Sequence, residues 1–353
     1  QTKRWLSLET LLEQAIERYP RSPAWPRLQA LAEMQQGNID EAVGKFEHAF
    51  ELQPTPKALA ELTEALITAQ RSDEAIEMLR AHVELTQQVP PLLAMRGRAL
   101  AALNQPEQAR NAFILAYGRC QDFSPFIGVS NQAASTWGLE QAYEIALEAT
   151  QDRHALWIDL ALAALEHRLG RYSEAYSRLL QLEPQFRPGA PAGVQPQERD
   201  TFENLLASCA HFAGNYEHAR DAYRRVLERV PDNMAALNNL AFLLAERLDD
   251  AEAALPLAQR AAAYATRDAN VQDTLGWVQF HAGQSDAALQ TLLTSLELEP
   301  IALTYYHVAE VYLAQGQSDR AVQMFEFAAE TAEKSNDKET LDKATQRLNE
   351  LTQ

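Results

Sequence analysis

The chain has 353 residues, with 31 basic and 49 acidic side chains and a formal charge of −18. At 46% hydrophobic and 23% charged it carries ample apolar material for a core, which excludes disorder and collagen. The acidity argues against a nucleic-acid partner, no stretch approaches the roughly 18 apolar residues that direct membrane insertion needs, and two cysteines, Cys120 and Cys209, exclude a disulfide scaffold or a cysteine-based zinc site.

From the N-terminus, Leu8, Leu12, Ala15 and Pro20 have the pattern of the second helix of a helix pair with no first helix before it. The chain is therefore expected to open on a half repeat, either an excised part of a longer array or a native single-helix cap. The pair that it half-completes then recurs. An alanine followed four residues later by an apolar or aromatic residue stands at Ala42, Ala75, Ala109, Ala142, Ala175, Ala219, Ala254, Ala288 and Ala321, at gaps of 33, 34, 33, 33, 44, 35, 34 and 33. Twelve residues before eight of these anchors comes another small residue, from Ala30, Thr63 and Gly97 to Gly276 and Ala309, with Ala241 thirteen before Ala254. Two small slots per unit imply two helices in close contact. Five residues before the anchor, Gly37, Gly170, Gly214, Gly283 and Gly316 mark a left-handed helix end, and Pro54, Pro231 and Pro300, twelve after it, mark where the second helix stops. Each unit is predicted as two helices of about 14 residues joined by a short turn.

The gap of 44 between Ala175 and Ala219 places a Pro/Gly-rich insertion at 184–197, around the run FRPGAPAGVQPQ. It divides a sub-array at 1–183, a half repeat plus five repeats, from one at 198–334 with four. In the tail at 335–353, Leu341, Ala344, Leu348 and Leu351 fall on one helix face, the pattern of a capping helix.

With Leu275-Gly276, Gly283, Ala288, Leu292 and Pro300 in one unit, the sequence resembles the tetratricopeptide repeat family over nearly its whole length. The resemblance implies an all-α, right-handed α-solenoid of about nine full helix pairs, with the leading half repeat and the capping helix. It also implies a concave face, lined by first helices, that binds a peptide or protein. Projected onto this chain, that face holds a partner-binding groove at Asn238, Phe242, Asp273, Trp277, Asn204, His211, Tyr306 and Trp157. Trp277 and Phe242 would supply apolar anchors, Asn238 would bond a ligand backbone, and Asp273 would select a basic side chain. Packing into the neighbouring unit is the competing role for each aromatic. Two specialisations of the family are not expected: the lysines of a carboxylate clamp are missing around Asn239, and Leu205, Thr274 and His307 interrupt an asparagine ladder.

Residues 230–333 carry 4 basic and 15 acidic groups, so a basic partner segment is one expectation and simple solubility the other. No phosphate-binding loop, nucleophile elbow or zinc-protease motif occurs, and the eight histidines are scattered. No catalysis, cofactor or metal is expected. The segment with Leu237-Asn238-Asn239-Leu240-Ala241 and Asp273-Thr274-Leu275-Gly276-Trp277 resembles repeats of bacterial envelope, secretion and exopolysaccharide-export systems. The expectation is thus a non-catalytic scaffold in a bacterial assembly, in the periplasm or envelope, with the cytoplasm as the alternative. A substrate-recruiting module of a longer enzyme or membrane protein, and a self-associating structural protein, are the competing classes.

Overall fold

In the computed structural model, residues 19, 22–187, 194 and 196–351 are described. The half repeat expected at Leu8, Leu12, Ala15 and Pro20 lies outside them. Among the described residues the chain forms twenty α-helices and no strand, grouped into two compact units, Gln1–Leu182 and Glu183–Gln353.

The first unit holds α1 (Ala24–Gln36), α2 (Ile39–Leu52), α3 (Pro56–Thr68), α4 (Ser72–Ala81), α5 (Val83–Gln88), α6 (Pro90–Ala102), α7 (Pro106–Arg119), α8 (Phe123–Trp137), α9 (Leu139–Thr150), α10 (Leu156–Arg168) and most of α11 (Tyr172–Phe186). These are five helix pairs, with the second helix of the Ala75 unit broken in two. At that break His82 leaves helical geometry (φ −113, ψ 46) and sets its ring edge-on to Phe50 at 4.8 Å, while the Thr86 hydroxyl donates to the Leu79 carbonyl at 2.9 Å. A long-range ring contact, which no local periodicity reports, accompanies the kink.

The second unit holds α12 (Pro196–Phe212), α13 (Tyr216–Arg229), α14 (Met234–Arg247), α15 (Ala251–Tyr264), α16 (Ala269–His281), α17 (Ser285–Leu298), α18 (Ala302–Ala314), α19 (Ser318–Ser335) and α20 (Lys338–Leu351). Helix α11 runs on through Pro184 to Phe186, and α12 starts at Pro196, so helix takes up residues at both ends of the 184–197 stretch. The Phe186 ring stacks on Phe202 at 4.0 Å, which gives the extra turn of α11 an apolar partner.

All nine anchor alanines have no exposed surface. The slot twelve before the anchor must be small because it receives the side chain four after it. A Cβ built on Gly97 would lie 2.8 Å from the Phe113 ring, and one on Gly276 would lie 2.6 Å from Leu292 Cγ. The inter-helix turn is left-handed even where glycine is missing: Gly37, Gly170, Gly214, Gly283 and Gly316 have φ between 74 and 85, and Gln70, Asn104 and Asp249 take the same slot at 61, 59 and 51. The cap also packs as a cap. Ala344 is fully buried, and Leu348 and Leu351 lie against the cluster of Ala309, Ala321 and Phe325. Each unit is therefore an α-solenoid of stacked helix pairs.

Candidate functional site

Stacking at a period near 34 puts residues that far apart in sequence on neighbouring first helices, and polar pairs exploit this. In the first unit Arg27 bonds both Glu61 oxygens at 2.8 and 2.7 Å, Arg98 bonds Glu64 and reaches Gln132 at 2.8 Å, and Arg168 reaches Asn131 at 2.9 Å. The first-helix side chains of that unit are largely engaged with one another. Trp157 belongs here: half-buried, edge-on to Phe126 at 5.9 Å and with the Arg153 guanidinium 5.5 Å from its ring centre.

In the second unit the first helices floor a groove of about 950 Å³. From α14 it takes Asn238, Phe242 and Glu246, which share one face at i, i+4 and i+8; from α16, Asp273 and Trp277; from α18, Tyr306, His307 and Glu310. His211 and Phe212 of α12 stand at one side. Helix α20 occupies the next first-helix position and adds Glu339, Lys343, Arg347 and Glu350. Of the eight residues expected at the site, Asn238, Phe242, Asp273, Trp277, His211 and Tyr306 line this one groove. Asn204 and Trp157 do not: the Asn204 amide donates to the Asp200 carbonyl at 2.6 Å, and Trp157 belongs to the other unit.

The roles inside the groove are redistributed by packing. Asp273, expected to await a basic ligand, is only 6% exposed and lies 2.9 Å from His307 Nδ1. His307 in turn stacks on the Trp277 ring at 4.0 Å. Trp277 is also only 6% exposed, and its indole N–H donates to Glu246 Oε2 at 2.8 Å. These contacts bind α14, α16 and α18 into one floor. Arg347 of α20 closes the far side with two bonds to Glu310 at 2.6 and 2.8 Å and one to Glu350 at 2.7 Å.

The more open surface is aromatic and amide. Phe212 is 59% exposed; the His211 ring lies between Phe212 at 5.2 Å and Phe242 at 6.3 Å, with near-parallel planes. The Asn238 Oδ1 atom is buried and has no hydrogen-bond partner among the described residues. An acceptor in that state costs free energy until a donor arrives. Burial holds His211 below the usual histidine range, with the nearby Arg247 charge acting the same way, and burial likewise lowers His281. Burial first, and then the neighbouring Glu310 carboxylate, pushes the Tyr306 phenol up to about 12. No three His, Cys, Asp or Glu side chains converge as a metal site among the described residues, and no helix there is long and apolar enough to cross a membrane.

Sequence reasoning did not single out Glu246, Glu310 or Arg347. The only signal was positional, since Glu246 continues the Asn238 and Phe242 series by one more turn, and Asp273 and His307 are 34 apart.

Family profiles described as tetratricopeptide repeat match residues 9–47, 27–90 and 210–270 in one case and 90–113, 270–293 and 302–326 in another, together more than half of the chain. A curated mouse (Mus musculus) relative, Tetratricopeptide repeat protein 21A, is 29% identical over 155 residues, which is 43% of this chain and 11% of that protein's length. The chain thus spans a small part of that relative. Similar solved structures include TTC0263, a thermophilic TPR protein of Thermus thermophilus, at 22% identity over 56% of this chain and 99% of that one with a TM-score of 0.43. MamA MSR-1 matches at 23% identity over 49% and 94%, with a TM-score of 0.38. YrrB, described as a TPR protein with an unusual peptide-binding site, matches at 19% identity over 58% and 98%, also with a TM-score of 0.38.

Proposed function

The chain belongs to the tetratricopeptide repeat family, whose members are protein-interaction scaffolds, and we propose that it is a non-catalytic scaffold that holds a basic peptide segment of a partner protein in the groove of its second unit. The observation that carries this reading is the groove itself. It combines an exposed aromatic ring at Phe212 beside the half-buried Phe242, the Asn238 amide, whose buried Oδ1 has no partner among the described residues, and six carboxylates against three cations along its lining. Rigid aromatic area, a backbone-bonding amide and surplus negative charge are what an extended basic peptide requires. The first unit supports the choice by contrast, since its first-helix charged and amide side chains bond one another.

Membership of a bacterial envelope or secretion assembly is the finer part of the proposal, and it rests on the style of the repeats at Asn238 and Trp277. The test is affinity capture by the intact chain beside its Phe242→Ala variant. A partner held by the parent and lost by an equally stable variant supports the groove. A partner held equally by both places binding elsewhere.

A further inference from the structure

We infer that Glu246 is the residue that reads the ligand, taking an arginine or lysine side chain that stands two residues from an apolar one in an extended segment; this rests on the groove being a peptide site, as proposed above. Among the six carboxylates that line the groove, five are already engaged within the protein. Asp273 meets His307 at 2.9 Å, Glu310 and Glu350 share Arg347, Glu339 holds Lys343 at 2.7 Å, and Asp337 accepts from the Thr340 backbone N–H at 3.1 Å. Glu246 differs. Its Oε2 accepts one bond, from the neutral Trp277 indole, and no hydrogen bond from the described residues reaches its Oε1. Arg247, the nearest cation, stands 4.0 Å away and lays its guanidinium over the Tyr216 ring. His281, 3.8 Å away, is kept toward its neutral form by burial.

The Glu246 carboxylate keeps a side-chain exposure of 20%, so a ligand can reach it, and it lacks a hydrogen-bonded counter-charge among the described residues. A ligand cation would supply that counter-charge. Phe242, one turn earlier on the same helix, and Tyr306 on α18 bring aromatic rings into the same groove, where a guanidinium packs well. The spacing also fits. Asn238, Phe242 and Glu246 are separated by steps of four residues, about 6 Å each along a helix. Alternate side chains of an extended peptide are about 6.6 Å apart. An extended segment running along α14 would therefore pass Asn238 and put an apolar side chain at Phe242 and a cation at Glu246.

The probe is a library of fluorescein-labelled decapeptides fixed at one leucine and, two positions on, arginine, lysine, glutamine or glutamate, with the other positions randomised. Binding to the full chain is read by anisotropy. The arginine and lysine pools should bind at least tenfold tighter than the glutamine pool. Glu246→Gln keeps an oxygen for the Trp277 indole, so it should melt like the parent while erasing that preference. Pools that bind alike whatever the fixed residue, or a preference that survives Glu246→Gln, would overturn the assignment and leave the groove reading standing. No binding by any pool would overturn both.

Discussion

Trp277 sits at the point where packing and recognition compete. With 6% exposure, a 4.0 Å stack on His307 and an indole bond to Glu246, it is a floor residue that orders the groove from beneath. Trp277→Ala should therefore cost about 3–5 kcal/mol of stability, read by denaturant melts. Asp273→Ala should cost about 1.5–3 kcal/mol, because it strips the buried His307 of its acceptor. Phe242, half-buried at the surface of the same floor, should lose ligand binding on truncation with a much smaller change in melting. The histidines add a pH dependence with a definite sign. Burial lowers His211 and His281 in the folded chain, whereas the unfolded chain takes up those protons near pH 6.5. Their contribution is thus fully present above about pH 6.5 and is lost as pH falls through the lowered folded values. The double variant His211→Gln/His281→Gln should show a shallower loss of stability as pH falls below about 6.5, and an unchanged slope would contradict this reading.

At the scale of the element, the helix pair is governed by two kinds of glycine that should respond oppositely to alanine. Gly44 lies exposed within α2 with nothing near a built Cβ, so Gly44→Ala should stabilise by about 0.5–1 kcal/mol. Gly276 would drive its Cβ to 2.6 Å from Leu292 Cγ and 3.1 Å from the Leu292 backbone nitrogen, so Gly276→Ala should destabilise by about 1–3 kcal/mol. Thermal melts of the two variants against the parent decide both. The pairs themselves were legible in the sequence, because the anchor alanines, turn glycines and closing prolines are local and periodic. The break at His82 was not, since it accompanies a ring contact with Phe50, 32 residues earlier in the chain. Left-handed turns at Gln70, Asn104 and Asp249 also escaped, because glutamine has no preference for that geometry and Asn and Asp, which do, occur in many other settings as well. In the groove, the aromatic and amide positions followed from helical spacing. The role of Glu246 did not, because it emerges only when every neighbouring carboxylate is seen to have its own partner. Asp273 shows the same limit from the other side, as its spacing suggested an open charge and packing supplied His307.

For the whole molecule, the charge of −18 is unevenly spread, with 4 basic against 15 acidic groups in residues 230–333. A basic ligand should meet this region faster at low ionic strength, and its association rate should fall as salt rises while that of an uncharged peptide barely changes. Stopped-flow association at several salt concentrations measures this. If the groove of the second unit is the peptide site, no other surface should respond to the ligand. Hydrogen–deuterium exchange of the full chain with and without a bound arginine-containing decapeptide tests it most directly. Added protection should be confined to α12, α14, α16, α18 and α20, with α1, α3, α6, α8 and α10 unchanged; protection on those helices of the first unit, or on α15, α17 and α19 alone, would overturn the assignment.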